Sequence, residues 1–399
     1  MKKLRSIDSP IFYLSVLFFI LSLFQVIRGV GRVVSTKELI DFKVYYQAVN
    51  ASLLGQNPYF MNFGENIPFN YPPSSLLFLA PLTFLTPQSS EIILTDFSII
   101  SLLLGAYMLT SLFQISRNWT IRLLIFSFLL QNFPTKFTLV MGQVNLILLL
   151  LIITSFNHDQ NNRPIQSGFL YGTASMVKLI PLPLGIYFLL RRKYLALATG
   201  IITFIAANVF VTSLFPNTGD FFLKRIFELS LLKNTIPTLY DQSLKAFFLR
   251  IGFYGHAQGI SLIIVAFLFT ITAMSYFKKK IKKKDRILND LTFFSLILAI
   301  TTIGNSFTWQ HHLVFLFPGF IAETTYVLRN RVKIRGILLF LSAVLVGYHF
   351  PDIAHPPTTN PIFISHGTVG ALILIFLLLT NSRGNLMFLT VKTKNIRRS

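Results

Sequence analysis

A polar stretch rich in acids, amides and tyrosines follows the first apolar run of the chain, and its first candidate functional residue is Asp41. A helix over about residues 38–54 would place Asp41, Tyr45 and Ser52 along one side, because residues three and four apart share a helix face. Gly55 then ends this helix. A carboxylate beside a bilayer is costly unless it is solvated or has a task, and a carboxylate can take a proton. The alternative is a charge that only interacts with the N-terminal helix dipole.

Two further clusters offer hydrogen-bonding groups. The residues from Tyr71 to Pro73 form a stiff extended corner, because proline fixes φ, and this corner brings the chain back onto the membrane. This corner either lines a ligand site or only forms a turn in the loop. Gln143 and Asn145 place their amides at the outer end of an apolar run, where they bind either a sugar or a neighbouring helix.

The remaining clusters carry cationic or titratable groups. Lys178 lies alone in an apolar run, so it either extends to water or meets the phosphate of a membrane-held ligand. His311 and His312 follow Trp309 at the outer mouth of another run. Adjacent residues point in different directions on a helix, so we expect the two rings to diverge and not to form the i, i+4 pair of a metal site. One ring is then available to a phosphate while the other packs.

The composition indicates which class of protein must position these residues. With 53% hydrophobic and 13% charged residues, the chain lies outside the soluble globular range and is predicted to be a polytopic membrane protein. The net charge of +22 does not indicate nucleic acid, because Lys and Arg fall between apolar runs instead of forming a groove or an arm. The absence of cysteine excludes disulfides and cysteine nucleophiles, and no P-loop or common hydrolase motif occurs.

The apolar runs predict about twelve membrane passes, if the run broken by Lys178, Pro181 and Pro183 counts twice. They lie near residues 10–27, which we expect to be a retained first helix, and near 91–115, 121–140, 143–156, 167–190, 194–215, 258–277, 287–304, 311–328, 334–350 and 362–381.

Charge placement orients these passes. With both termini in the cytoplasm, the cytoplasmic segments carry 25 of the 36 Lys and Arg residues, as the positive-inside rule requires. The basic run 278–286 is then a topology anchor or a contact with anionic membrane lipids. The opposite layer comprises residues 28–90, 216–257, the turn near 305–310 and 351–361, and it holds the candidate chemistry. The first two of these loops are long, and loops of that length are usually functional. No internal repeat is visible, so residues 1–399 are treated as one domain.

Several short motifs occur in order along this layer: DFxxYYxA with LLxGxNPY at 41–59, YPP with a following PL at 71–82, GQVN at 142–145, VKLIP at 177–181 with RRK at 191–193, DQSL at 241–244 and WQHHLV at 309–314. In this order they resemble glycosyltransferase family 87, the polyprenol-phosphate-sugar-dependent membrane mannosyltransferases of the C-type glycosyltransferase fold. The resemblance covers most of the chain. It implies an all-α polytopic membrane protein whose long extracytoplasmic loops carry amphipathic helices.

The resemblance also implies an activity: inverting transfer of a sugar, usually mannose, from a polyprenyl phosphate to a lipid or glycan acceptor, with Asp41 as the general base. It implies an active site facing the periplasm or cell exterior of a bacterial cell membrane. One carboxylate suffices for such a transfer, because the lipid phosphate is a good leaving group that needs only cations or hydrogen-bond donors. We therefore expect no metal or other cofactor. The candidate donor-binding residues are Lys178, His311, His312, Gln143, Asn145, Lys245 and Arg250, and the candidate substrate-lining residues are Tyr45, Tyr71, Asp241, Gln242 and Trp309.

Two other functions compete with this one. A transporter or lipid flippase also uses broken helices and a buried lysine, but the missing repeats and the long acid-bearing outer loops weigh against it. A non-catalytic relative that binds a lipid-linked sugar without transferring it is the other possibility, and Asp41 weighs against that.

Overall fold

The chain folds almost entirely into α-helices in a computed structural model, which describes residues 10–36, 39–63, 67–113, 118–219, 221, 224, 238–278, 285–350 and 360–382. The described helices are α1 (Pro10–Thr36), α2 (Ile40–Leu53), α3 (Ser75–Leu79), α4 (Pro87–Ser111), α5 (Trp119–Gln131), α6 (Phe133–Met141), α7 (Asn145–Gln160), α8 (Pro164–Val177), α9 (Gly185–Leu190), α10 (Tyr194–Leu214), α11 (Leu244–Arg250), α12 (Ala257–Lys278), α13 (Arg286–Gly304), α14 (Phe317–Asn330), α15 (Lys333–Gly347), α16 (Pro361–Ile364) and α17 (His366–Ser382). Short 3₁₀ turns cover Pro58–Phe60, Ala80–Phe84, Leu182–Leu184, Pro216–Gly219 and Gln310–Leu316. The described strands, β1 (Asn62–Phe63) and β2 (Ile67–Pro68), form an antiparallel hairpin.

The predicted all-α membrane class is confirmed, but the predicted count of passes is not. In the described residues, α1, α4, α10, α12 and α13 are the 5 helices long and apolar enough to cross a bilayer. The pair α5 and α6 meets at a bend of 53° and adds a sixth span if counted as one. The other predicted runs form shorter helices; for example, α8 ends at Val177 and α9 begins only at Gly185, after two prolines. This break falls at Lys178, Pro181 and Pro183, where the sequence predicted it, because proline cannot continue a helix.

Burial separates the central helix from the peripheral ones. The most apolar window of α13 is 78% buried inside the protein, whereas those of α1 and α12 are only 17% buried. The outward side of α1 exposes large apolar side chains such as Leu14, Leu17 and Phe18. Such a surface requires an apolar surrounding, so α1 and α12 face lipid while α13 forms the centre of the bundle.

Helix α2 confirms the helix predicted over residues 38–54, and its end shows why it stops there. Gly55 adopts a left-handed φ of 76°. Its N–H donates to the Ser52 carbonyl at 3.0 Å. The next N–H, of Gln56, donates to the Ala51 carbonyl at 2.9 Å. These two bonds are the glycine-dependent cap that satisfies the last carbonyls of a helix.

The start of α2 is fixed by two other helices. The Leu39 N–H donates to Glu91 Oε1 of α4 at 2.7 Å, and Glu91 is buried. Gly142, with φ of 70°, ends α6 directly against α2. A Cβ at Gly142 would lie 2.7 Å from Phe42 Cβ and 2.8 Å from Leu39 Cβ, so only glycine permits this approach.

A hydrogen bond holds the corner that begins at Tyr71 against the end of α8. The Ser74 hydroxyl donates to the Met176 carbonyl at 2.6 Å, and the Ser74 N–H donates to Asn208 Oδ1 at 3.3 Å. The chain then leaves α8 at Lys178 in an extended conformation. The corner and the lysine, about a hundred residues apart in the sequence, thus become neighbours.

The RRK segment lies at the far end of α7 and makes buried ion pairs. Arg191 Nη2 is 2.6 Å from Asp290 Oδ2, and Lys193 Nζ is 3.2 Å from Asp159 Oδ1. The Tyr187 hydroxyl also donates to Asp159 at 2.8 Å. Asn145 opens α7 and Asp159 nearly closes it, so these ion pairs lie about 20 Å from the amide of Asn145. They join helices at the end that charge placement assigns to the cytoplasm.

Candidate active site

Asp41 lies in the first turn of α2, and its carboxylate turns toward the end of α6. Its Oδ2 accepts a hydrogen bond from Gln143 Nε2 at 2.8 Å. Within the described part of the chain, Oδ1 accepts no hydrogen bond, and the side chain remains partly exposed. The carboxylate does not cap its own helix. Asp41 is therefore oriented through one oxygen while the other stays available to a ligand.

The side-chain amide of Gln143 connects Asp41 to three other candidate residues. Its Oε1 accepts from the Tyr45 hydroxyl at 2.7 Å and from Lys178 Nζ at 3.1 Å. Its Nε2 donates to the Tyr71 hydroxyl at 3.1 Å in addition to Asp41. The amide thus uses both oxygen lone pairs and both hydrogens, which fixes its orientation because a flipped amide would place donor against donor.

Two tyrosine rings close one side of this network. The Tyr45 and Tyr71 hydroxyls are 2.9 Å apart, and their rings meet edge to face with centroids 5.0 Å apart. The Tyr59 hydroxyl in turn donates to the Tyr71 carbonyl at 2.8 Å. The corner at Tyr71 thus forms one wall of the candidate site and is more than a turn in the loop.

Lys178 points into the site and not to water. Its Nζ donates to Asn145 Oδ1 at 2.9 Å and to Gln143, and it lies 5.4 Å from the centre of the Tyr71 ring. Within the described residues no carboxylate forms an ion pair with it. Its direct contacts are thus neutral, and the charge that acts on it through space is that of Asp41, which shares the Gln143 amide. A cation held in this way can also interact with an anionic ligand group.

His311 and His312 converge, so the prediction that their rings diverge is wrong. Their Nε2 atoms are 3.2 Å apart, and the rings meet edge to face at 4.4 Å. Rotation about the side-chain torsions brings the ring tips together although neighbouring Cβ atoms point apart. The His311 carbonyl accepts from Asn145 Nδ2 at 3.2 Å, which places the pair beside the Lys178 partner. Both Nδ1 atoms are buried, and neither forms a hydrogen bond with the part of the chain that the structure describes.

A second group of predicted residues surrounds the chain segment that leads to the histidines. Asp241 pairs with Trp309 as a short antiparallel bridge, and Asp241 Oδ1 accepts from the Thr308 N–H at 3.1 Å. The Gln242 side chain donates to the Ile364 carbonyl at 3.0 Å and accepts from the Gly367 N–H at 2.9 Å. These bonds hold the segment before α11 against the junction between α16 and α17.

The two remaining predicted cations lie on α11. Arg250 donates to Ser365 Oγ at 2.8 Å and to the Asp241 carbonyl at 2.6 Å. The Lys245 ammonium lies 5.2 Å from the centre of the Phe307 ring. The structure does not join either cation to Asp41 or Lys178 by a hydrogen bond, so their roles at a phosphate stay predictions.

Trp309 belongs to a set of nearly parallel aromatic rings beside His311. The Tyr240 ring centroid lies 4.7 Å from that of Phe137 and 5.9 Å from that of Trp309, and the Phe137 and Trp309 centroids are 6.5 Å apart. The His311 ring lies 5.3 Å from Phe137 and 5.9 Å from Trp309. This set forms an aromatic wall on the histidine side of the candidate site.

The pKa of the Asp41 carboxyl group is raised. Burial raises its pKa from 3.8 to about 6, while the hydrogen bond from Gln143 and the charge of Lys178 act in the opposite direction. Helix α2, which carries Asp41, is not one of the membrane-spanning helices. A carboxylate with a pKa near 6 is ionised at neutral pH and is a stronger base than an ordinary aspartate.

Two residues important for this geometry were not predicted as site residues. Glu91 holds the first turn of α2, and Gly142 allows Gln143 to reach Asp41. The glycine directly before Gln143 is a sequence signal for a helix end, but the partner that it meets is not encoded locally. In the sequence, Glu91 is an acid near the start of an apolar run, and nothing local indicates its partner. The structure shows that this partner is the Leu39 N–H.

A model of glycosyltransferase family 87 matches residues 69–288 of the chain. The chain is 21% identical to a polyprenol-phosphate-mannose-dependent alpha-(1-2)-phosphatidylinositol mannoside mannosyltransferase of Mycobacterium tuberculosis, over 80% of this chain and 78% of that protein. It is 22% identical to a protein of the same description from Mycolicibacterium smegmatis, over 73% and 71% of the two chains. A pentamannoside mannosyltransferase of Mycolicibacterium smegmatis is 26% identical over 63% of this chain and 60% of its own length.

The matched segment contains Tyr71, Gln143 and Lys178, whereas Asp41 and the histidine pair lie outside it. The match covers more than half of the chain, and the similarity to the Mycobacterium tuberculosis relative covers 80% of it. The chain belongs to glycosyltransferase family 87.

Proposed function

We propose that the chain transfers a sugar, most simply mannose, from a polyprenyl phosphate to a hydroxyl of a lipid or glycan acceptor, with Asp41 as the general base. One observation carries the proposal: Asp41 has one oxygen that accepts no hydrogen bond from the described residues, and it lies beside a lysine ammonium that neutral amides hold in place. A base can take the proton that the acceptor hydroxyl loses, and a nearby cation can offset the negative charge that develops on the leaving phosphate. The curated relatives are described as using polyprenol phosphate mannose, which favours that donor.

The proposed step forms one bond and breaks one. The acceptor oxygen attacks C1 of the sugar from the face opposite the phosphate, and its proton passes to Asp41 Oδ1. The bond between C1 and the phosphate oxygen breaks, and the lipid phosphate leaves with the electron pair, so the configuration at C1 inverts. Lys178 balances the charge on the leaving phosphate, and the pair formed by His311 and His312 offers an N–H to it. This scheme uses no metal or other cofactor.

We also propose that the site faces the periplasm or cell exterior in a bacterial cell membrane. The Lys and Arg distribution supports this orientation, because 25 of 36 fall in the segments assigned to the cytoplasm. About twelve passes, cytoplasmic termini, a single domain and the C-type glycosyltransferase fold belong to the same proposal. Under it, α2 and the hairpin of β1 and β2 lie on the outer side, above the membrane-spanning helices.

The proposal is tested by sugar transfer in purified protein with polyprenyl phosphate mannose and a membrane-lipid extract. Asp41→Asn keeps the shape of the side chain but removes its basicity, so transfer should fall by roughly 100-fold or more while donor binding survives. Asp96→Asn, the same substitution at an exposed carboxylate of α4, is the matched control and should keep normal transfer. Near-normal transfer by Asp41→Asn would remove the proposed base and reopen the transporter alternative.

A further inference from the structure

A groove runs along the side of α2 that faces away from the candidate active site. Its volume is 460 Å³, within the range of small-molecule sites. We call it the amide groove, and it is lined by Phe42, Lys43, Tyr46, Gln47, Asn50, Ala51, Leu54, Gln56, Met61, Asn62, Phe63 and Pro87.

The groove combines an apolar floor with unused amides. The buried rings of Phe42 and Phe63 form part of the floor. Four lining residues carry side-chain amides for which the described part of the chain provides no hydrogen bond: Gln47, Asn50, Gln56 and Asn62. Among the described lining residues, Lys43 is the only charged one and none is a carboxylate. Amides above an apolar floor suit a polyhydroxylated ligand, because each amide can both donate to and accept from a hydroxyl group.

The helix itself separates this groove from the transfer site. Successive residues of an α-helix turn by about 100°, so Lys43, Gln47 and Asn50 lie roughly 120–180° around α2 from Asp41, on the opposite half of the helix. A helix with its side chains is about 10–12 Å across. A ligand in the groove thus cannot be the hydroxyl that reacts at Asp41, but it can belong to the same molecule.

We propose that the amide groove binds sugar units of a glycan acceptor, apart from the unit that reacts. This inference rests on the proposed transferase function. Each amide offers both a donor and an acceptor, which matches hydroxyl groups that also do both. The aromatic floor suits the apolar face of a sugar ring, whereas a lipid tail would leave the rim amides buried without partners. Binding there raises the effective concentration of the acceptor at Asp41.

The test is the binding of mannotriose, measured by saturation-transfer NMR on the full chain in detergent. Gln47→Ala combined with Asn50→Ala should weaken binding by at least about fivefold, or about 1 kcal/mol, because two hydrogen-bonding side chains are removed. Asp41→Asn, which leaves the groove intact, should retain the affinity. Matched thermal stability of the double variant and the parent protein excludes a folding defect, and a single Gln47→Ala or Asn50→Ala variant replaces it if it unfolds.

Three results would overturn the inference: no saturable binding of mannotriose by the parent chain, unchanged affinity in the double variant, or loss of binding in Asp41→Asn alone. The transfer assay separates this failure from failure of the proposed function. Normal transfer with unchanged binding in the double variant rejects the groove and leaves the transferase standing. Groove-dependent binding without any transfer by the parent chain rejects the transferase and leaves a sugar-binding protein.

Discussion

Gly142→Ala tests whether the close packing of α6 on α2 sets the position of Asp41. The new methyl group would lie 2.7 Å from Phe42 Cβ and 2.8 Å from Leu39 Cβ, both far inside ordinary contact distance. Neither neighbour is the far end of a flexible side chain, so the backbone of α2 or α6 must move. Because Gln143 follows directly and Asp41 lies between the two contacts in sequence, this movement separates the Gln143 amide from the carboxylate.

The expected loss in the free energy of unfolding of Gly142→Ala has two parts. Alanine at a φ of 70° is strained by about 1–2 kcal/mol, and overpacking adds about 1–3 kcal/mol. Gly55→Ala is the matched control, since it has a φ of 76° at the end of α2 but nothing within 4 Å of the new Cβ. Gly55→Ala should therefore lose only the contribution of backbone strain, about 1–2 kcal/mol.

The assay is equilibrium unfolding in mixed micelles, followed by sugar transfer in the folded fraction. We expect Gly142→Ala to be less stable than Gly55→Ala by about 1–3 kcal/mol and to transfer roughly 100-fold more slowly, because a displacement of about 1 Å at a reacting group has that effect. Equal stability and equal transfer in the two variants would show that the packing of α6 on α2 does not control Asp41.

The other predictions concern charge and topology. Because Asp41 must be ionised to act as a base and its pKa is raised to about 6, kcat/KM should fall as the pH drops through about 6. Lys178→Met removes a charge that lowers the pKa of Asp41, so this acidic limb should move to higher pH, and donor binding should weaken more than acceptor binding; an unmoved limb with normal donor affinity would contradict both roles. Asn62→Cys in this cysteine-free chain should react with an impermeant maleimide only from outside, and labelling only from the cytoplasm would reject the proposed orientation.

The class of protein and several local features could be predicted from the sequence alone. Apolar runs with basic segments between them indicated a helical membrane protein, because the bilayer imposes both patterns on the chain. The spacing of polar residues and Gly55 predicted α2 to within two residues at its start and one at its end. These features depend on neighbours in the sequence. The number of passes did not follow in the same way, because it depends on where the chain bends, as between α5 and α6 within the apolar run predicted over 121–140.

The arrangement of the candidate site was decided only by the tertiary structure. The bond between Asp41 and Gln143 joins residues 102 positions apart, and the bond between the Asn145 side chain and the His311 carbonyl joins residues 166 positions apart. The sequence named these residues as separate candidates, each with a structural alternative. Side-chain contacts across such separations depend on how helices pack, and no local propensity encodes that packing. The convergence of the two histidines and the support of α2 by Glu91 became visible for the same reason.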